Sequence, residues 1–459
     1  MTTTSRRIGK YIAFIPAHCK LEREFRTEMG KWLRASTFDM VYGDSLHPTD
    51  DKYEEPIQVL RPGWSPERLR GHCYVGDVVL AAADLVARVG GADALCSLSS
   101  HHRALLLSEH ASSIGRMPLF LYSSPWEYRF PSADLDAVKS HCLRTGIDAQ
   151  CSLNDSGSGV VVTRARNSNP SVTVIIPTRG TEAEVRGKNH VLAAHAIAQL
   201  VEHSTFQNFD IVVVVDDATS QHALQEINNA APGRIRVVPF DRPFNFAEKV
   251  NLGAANTTAD YLLLLNDDTE PSNPHLINTL LSYFSDDTVG LVGPKLLYED
   301  GFIQSAGHFF NPVPYDAYRG FPADCAGAYN MLTVAREVSS VIAACALTPR
   351  KVFIEVGGLS TQFPGDYNDI DFALKLQLLG KRVIYTPYTE CFHFESKTRE
   401  AKLNPAHVAL LGERWRDQLE NETYGHPSLQ KYQVTWKSNR PGQRSVDEAV
   451  GPTAPMASK

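Results

Sequence analysis

Apolar residues along the chain fall into short blocks separated by polar turns, and the blocks change character near residue 170. Residues 172–176 form a continuous β-branched run, which predicts a strand buried on both faces. A regular alternation follows: a helical pattern over 191–203, a strand over 210–215, a helix over 221–229 and a strand over 235–239. A helix over 246–255 and a strand over 261–265 complete it. Strand and helix in this alternation predict a mostly parallel sheet covered on both faces. Farther on, a helical stretch over 372–379 precedes a strand over 382–386. The longest apolar runs, around 75–83 and 261–265, read as buried elements, and none approaches the ~20 residues needed to span a bilayer.

The stretch 154–170 is polar and small apart from Val160–Val162, and it predicts a linker between two domains. At 459 residues the chain is long enough for two or three domains. The tail 437–459, rich in Pro, Gly, Ser and charge, reads as disordered. A net charge of -7 argues against a dedicated nucleic-acid binder. The basic N-terminus lacks the apolar core of a signal peptide. Eight cysteines without C-x-x-C pairs suit reduced thiols, which makes the expected compartment the cytoplasm.

In parallel sheets ligands bind beyond the carboxyl ends of the strands, and those ends here are acidic or turn-forming. The 172–176 strand runs into Pro177-Thr178-Arg179-Gly180, the second into Asp216-Asp217, and the fourth into Asn266-Asp267-Asp268-Thr269. Each taken alone could be an ordinary turn. Together they would repel one another unless a cation or hydrogen-bond donors held them, and oxygen ligands suit Mg²⁺ or Mn²⁺. Asp369 and Asp371 stand near a helix start, where acids also stabilise the helix dipole; that role suffices for Asp371, whereas Asp369 is read as functional. His393 lies among aromatics, where a packed histidine is the commoner case.

Five stretches carry a resemblance: VIIPTR at 174–179, IVVVVDDATS at 211–220, NFAEKVNLGAAN at 245–256, YLLLLNDDTEP at 261–271 and the run 369–396. In this order they resemble the family-2 glycosyltransferases, in particular the bacterial polysaccharide and rhamnan-assembly branch. The resemblance covers 171–399 and implies a GT-A nucleotide-diphospho-sugar transferase fold of α/β class. It implies that Pro177, Thr178 and Arg179 line the nucleotide pocket, that Asp216 meets the base or ribose, and that Asn245 and Asn251 stand beside the donor. Asn266-Asp267-Asp268 takes the D-x-D place, with Asp267 near the ribose and Asp268 a ligand of Mn²⁺ or Mg²⁺; Asn266 departs from the commoner Asp. His393 matches a histidine that completes the metal shell, and Asp369 the catalytic base of an inverting transfer. Ala343 replaces a common Gly, and Tyr424–Leu429 resembles a tail motif of this branch.

Residues 11–21, 38–45, 62–66 and 75–91 resemble the latter half of a second such domain, so 1–153 is expected to be a degenerate partial GT-A-like α/β domain. Pro16-Ala17-His18-Cys19 fills its D-x-D place, and 99–102 its base position, so it should be non-catalytic, a packing, acceptor-guiding or oligomerisation module. His18, His101 and His102 are too scattered to suggest a metal site. A helical extension is expected over 400–436. The expected partners are a nucleotide-diphosphate sugar, with thymidine-diphosphate rhamnose suggested by the branch, and a glycan, lipid-linked or protein acceptor. The expected location is cytoplasmic, at most peripheral at the inner face of the membrane. Two other classes remain open, a non-catalytic nucleotide-sugar-binding scaffold and a sugar nucleotidyltransferase. The second would need a Gly-rich loop after the first strand that 177–186 lacks.

Overall fold

The computed structural model describes residues 2–22, 26–49, 54–125, 127, 132–165, 168–394 and 404–439. Two units emerge, and each is discontinuous in sequence. The first comprises Met1–Ala165, Cys325–Arg336 and Asn421–Ala454; the second comprises Arg166–Asp324, Glu337–Glu420 and Pro455–Lys459.

In the first unit the strands are β1 (Thr3–Ile8), β2 (Tyr11–Pro16), β3 (Lys20–Leu21), β4 (Met40–His47), β5 (Ile57–Val59), β6 (Val79–Ala82) and β7 (Ile114–Ser123), with a hairpin of β8 (Ala149–Leu153) and β9 (Val160–Arg164). The sheet order is β1-β2-β6-β4-β7-β3, with β5 on β4. Alternate residues of β2, β4 and β7 bury Tyr11, Ala13, Val41, Met117 and Leu121 in one apolar cluster with the helix residues Met29 and Leu33.

The second unit opens on β10 (Val172–Thr178), every residue of which is buried, as its β-branched run predicts. The small hairpin β11 (Glu182–Val185) and β12 (Lys188–Val191) precedes the helix Leu192–His203. Then come β13 (Phe209–Asp216), β14 (Ile235–Phe240), β15 (Tyr261–Leu265), β16 (Thr269–Pro271), β17 (Val289–Leu297), β18 (Ile303–Ser305), β19 (His308–Phe310), β20 (Pro314–Asp316), β21 (Arg336–Glu337), β22 (Cys345–Pro349) and β23 (Arg382–His393). Their order is β14-β13-β10-β15-β22-β17-β23-β16, with β18 on β17. β14, β13, β10 and β15 run parallel, while β22 is antiparallel to both β15 and β17.

The part of this order from β15 onward repeats in the first unit. β2, β6, β4, β7 and β3 correspond in sequence order and in strand sense to β15, β22, β17, β23 and β16. Both parallel pairs, β4 with β7 and β17 with β23, slip register partway along. β1, antiparallel to β2, lies where the second unit has β10 parallel to β15.

Three expectations differ from what is observed. The 154–170 stretch is not an open linker: Asn154 Oδ1 accepts from Gly159 N–H (3.0 Å) to turn the β8–β9 hairpin, and Arg164 Nη2 donates to both carboxylate oxygens of Glu67 (2.6 and 2.7 Å). The unit boundary falls after Ala165. The strand expected over 382–386 runs on to His393, because Pro387 falls in the register slip, where no ladder N–H is required. In the 400–436 extension, the helix Pro405–Glu420 belongs to the second unit, but the described residues from Asn421 to Asn439 pack in the first. There His426 Nε2 lies 2.9 Å from Asp44 Oδ2, both fully buried, and Trp436 Nε1–H donates to Leu60 O (2.7 Å). The end of the resembling segment, 395–399, and the tail 440–459 lie outside the described residues. Among the described residues no helix is long and apolar enough to cross a membrane.

Gly253 sets how closely the helix Phe246–Ala255 lies on β10: a Cβ there would come 2.5 Å from Ile175 Cγ2. We expect Gly253→Ala to lower stability by about 1–3 kcal/mol in urea unfolding; an unchanged midpoint would contradict that close approach.

Candidate active site

The carboxyl ends of β10, β13 and β15 meet at one edge of the second sheet because their parallel registers are in step: Val172 pairs with both Phe209 and Tyr261. A cleft of about 250 Å³ opens there. It is lined by Pro177, Thr178 and Arg179 from β10 and its turn, by Asn266, Asp267 and Asp268 after β15, and by His393 and Asp369. The sequence placed these eight together, and the structure does so too.

Asp267 is half-buried, and Thr178 Oγ1 donates to its Oδ2 (2.6 Å). Burial, and then the neighbouring charge of Asp268, push its carboxyl up to about 7. Asp268 Oδ1 lies 3.2 Å from His393 Nε2. His393 Nδ1 is 2.7 Å from Gln304 Oε1, an atom that can only accept, so Nδ1 carries a proton and, in the neutral imidazole, Nε2 presents a lone pair. That lone pair faces a carboxylate, an arrangement that a cation between them would relieve. Asn266 Nδ2 also approaches Nε2 (3.2 Å), while its Oδ1 is buried without a hydrogen-bond partner. A crowded carboxylate pair, a correctly presented imidazole nitrogen and an orphaned amide oxygen fit a divalent cation. Asn266, the departure from the D-x-D pattern, therefore still turns polar atoms toward the place a metal would take.

Asp369 sits in the first turn of the helix Asn368–Leu378, which starts four residues earlier than the apolar pattern suggested. Its Oδ1 accepts from Ile370 N–H (2.8 Å) and its Oδ2 from Ala343 N–H (3.4 Å). Burial holds its carboxyl above the ordinary range, while His308 opposes the rise. Asp371, one turn face away, is wholly buried and accepts at Oδ1 from Arg414 Nη1 (2.7 Å) and Trp415 Nε1 (3.0 Å). These bonds give it the structural role its helix-start position suggested.

The other expected contacts fall outside the cleft lining. Asp216 is 2.5 Å from Lys249 Nζ, which is buried and also donates to Thr178 O (2.7 Å); Arg179 Nε approaches it at 3.8 Å. Asn245 caps its helix, accepting from Glu248 N–H (3.1 Å) and donating to Thr361 O (2.9 Å). Asn251 uses both ends of its amide on the backbone of Leu359 (2.8 and 2.9 Å). Both asparagines thus hold the walls in place.

Lys249, Phe244, Gln304, Arg319 and His308 were not singled out from the sequence. Phe244, under the Arg179 guanidinium at 4.2 Å, offers a flat face in the cleft, and Lys249 and Arg319 bring positive charge to it. Burial pulls His308 down, but Asp316 at 3.1 Å outweighs it and keeps the imidazole above its ordinary range. Only Lys249 left a signal: a cation on the sheet-facing side of an apolar helix pattern.

The folded-state shift of Asp267 fixes a sign. Its carboxyl is raised from 3.8 to about 7, so its contribution to the stability of the metal-free protein falls as pH rises through that window. A cation gains the charge that the protein finds costly. We therefore expect the rise in melting temperature caused by Mn²⁺ to be larger at pH 8 than at pH 6, and the difference to shrink in Asp267→Asn. Equal rises at both pH values would contradict a cation site beside Asp267.

Residues 173–357 match the family model described as glycosyl transferase family 2. The O-antigen biosynthesis protein RfbC of Myxococcus xanthus is 26% identical over 416 residues, 86% of this chain and 32% of that protein. The uncharacterized protein y4gI of Sinorhizobium fredii strain NGR234 is 27% identical over 388 residues, 78% of this chain and 41% of that protein. The chain thus spans well under half the length of these curated relatives, and the matched lengths take in residues of both units. Among solved structures, GalNAc-T7 with UDP, GalNAc and Mn²⁺ aligns with a TM-score of 0.45 and 13% identity, over 58% of this chain and 51% of that one. The mannosyltransferase PcManGT of Pyrobaculum calidifontis with GDP-Man and Mn²⁺ aligns with a TM-score of 0.37 and 18% identity, over 57% and 67%. The α/β architecture expected, of the GT-A kind, accords with the family matched. Over residues 173–357 the chain is thus similar to the family-2 glycosyltransferases.

Proposed function

We propose that the second unit transfers a sugar from a nucleotide-diphosphate donor to an acceptor hydroxyl with inversion. The observation that carries this reading is the pairing of Asp268 with His393 Nε2 in the same cleft as the half-buried Asp369. Asp268 and His393 would hold Mn²⁺ or Mg²⁺, which when bound offsets the charge developing on the departing diphosphate. Pro177, Thr178 and Arg179 would bound the nucleotide, with Phe244 as a flat face for its base and Asp267 near the ribose. Lys249 fixes Asp216 and the end of β10, so the nucleotide meets a wall already ordered.

Asp369 would act on the acceptor. Its raised affinity for a proton makes it a stronger base than an exposed carboxylate. As the acceptor oxygen bonds to the anomeric carbon, its proton passes to Asp369 and the carbon–oxygen bond to the diphosphate breaks. One base and one displacement account for inversion. Thymidine-diphosphate rhamnose is the donor we favour, from the branch that the sequence resembles. The acceptor we favour is a growing glycan, in keeping with the similarity to an O-antigen biosynthesis protein, with transfer at the cytoplasmic side of a membrane.

The first unit, in this proposal, is non-catalytic. It repeats the sheet from β15 onward, but β1 stands where the nucleotide-bearing β10 would be. Arg61 fills its counterpart of the acceptor side: its guanidinium donates to Val75 O (3.0 Å), Ser45 Oγ (3.1 Å) and Tyr122 OH (2.6 Å) and lies against Gly76.

A panel of nucleotide sugars on purified protein, with Mn²⁺ and with EDTA, tests the reading. One donor should bind and be slowly hydrolysed only with metal, and Asp268→Ala should lose both. Asp369→Asn should retain donor affinity within about twofold while transfer falls by at least 10²-fold. Equal loss of binding and turnover would remove Asp369 from the role of base, and no binding of any donor to folded protein would favour a non-catalytic scaffold.

A further inference from the structure

The first unit keeps a strand junction at the place where the second unit carries its acidic cluster. β15 leads through Asn266, Asp267 and Asp268 into β16; β2 leads through Ala17, His18 and Cys19 into β3, closed by Cys19 N–H donating to Pro16 O (2.9 Å). The strand pairings on either side correspond, so His18 and Cys19 occupy the position of Asp268 and Thr269.

From this placement and the side chains around it we propose that His18, Cys19 and Asp77 form a zinc site in the first unit. The ligand atoms of the three residues all lie within 4.8 Å of one another, and they are the one such group of three among the described residues. His18 Nε2 is 3.1 Å from Asp77 Oδ2. Ser100 Oγ donates to Asp77 Oδ1 (2.5 Å), which orients the carboxylate and leaves Oδ2 toward His18. Nitrogen, sulfur and one oxygen are zinc's ligands, whereas Mg²⁺ and Mn²⁺ take mostly oxygen. Three protein ligands leave a fourth position for water, and His18, with a side chain 13% exposed, gives a way in. The junction thus exchanges hard ligands for soft ones.

The surrounding charges balance. Two buried cations lie near: Arg61, engaged as described, and Arg103, which donates to Leu95 O, Leu98 O and Ser100 Oγ. Against them stand Asp77 and Asp44, the latter accepting from Arg61 N–H (2.8 Å). Burial, then Asp77, push the Cys19 thiol well above its ordinary range, and the two arginines oppose this. Formation of the sulfur–zinc bond must therefore release the thiol proton to solvent, one per zinc bound. Apparent affinity should rise about tenfold per pH unit near neutrality.

The inference is independent of the transfer reading, and its test needs no sugar. The full chain, freed of metal, is titrated with Zn²⁺ and with Co²⁺ as a spectroscopic stand-in. With excess Mn²⁺ filling the cleft of the second unit, one equivalent of Zn²⁺ should bind, and Co²⁺ should give a thiolate-to-cobalt charge-transfer band that Mn²⁺ cannot displace. Cys19→Ser should lose the band, Cys142→Ser should keep it, and Ser100→Ala should weaken Zn²⁺ binding about tenfold. Should Cys19→Ser fail to fold, X-ray absorption of the zinc-loaded native protein decides: one sulfur and one imidazole in the zinc shell support the site. A shell without sulfur, absence of stoichiometric zinc, or a band retained in folded Cys19→Ser overturns it, leaving the His18–Asp77–Ser100 bonds as a closed hydrogen-bonded junction.

Discussion

The parallel, in-step pairing of β10 with β13 on one side and β15 on the other governs everything else in the second unit. A shift of one residue in either ladder would turn its side chains to the opposite face. It would also carry the strand-end residues out of reach: Thr178 could no longer donate to Asp267, nor Lys249 reach Thr178 O and Asp216 together. The β-branched runs Val172–Ile176 and Ile211–Val215, buried on both faces, resist that shift. Gly253 lets the helix carrying Lys249 lie close enough to make the connection.

On this frame the site holds opposed charges in a small volume. Asp267 and Asp268 are crowded, His393 is turned by Gln304 so that Nε2 faces Asp268, and the half-buried Asp369 accepts from two backbone donors. Electrostatic strain of this kind is costly for the empty protein and useful for one that receives a cation and a diphosphate together. The cost is met elsewhere, in well-satisfied structural pairs such as Asp371 with Arg414 and Trp415.

Much of this was legible in the sequence. The apolar periodicity located β10, β13, β14, β15 and the helices between them within one or two residues, since buried parallel strands and their covering helices follow simple hydrophobic rules, but not the polar hairpin β11–β12. The strand-end acids were legible because two parallel strands end in paired acids beside a third that ends in an arginine, more than ordinary turns require. Residues acting across the cleft from other elements were not: Gln304 and His308 stand in three-residue strands, and Phe244 and Arg319 in loops, all too short for periodicity to fix. Asn245 and Asn251, expected beside the donor, hold backbone in the structure, a use that a polar side chain at a helix start or along a helix serves as readily and that the sequence does not reveal. The hairpin at 154–165 was hidden by Asn, Ser and Gly, which mark a tight turn and a linker alike.

The first unit is assembled from three separate stretches, the last of which supplies His426 to buried Asp44 and Trp436 to Leu60. Its strands leave the ribosome before any of the second unit, yet its core lacks those two side chains until some 270 further residues have emerged after Arg164. A buried carboxylate without its partner is unfavourable, so during synthesis the earliest part of the chain waits in an incomplete state while later parts mature. The order in which residues are made and the order in which the two units can close are thereby reversed, and any premature stop after Glu420 spares the helix Pro405–Glu420 while leaving the older unit open.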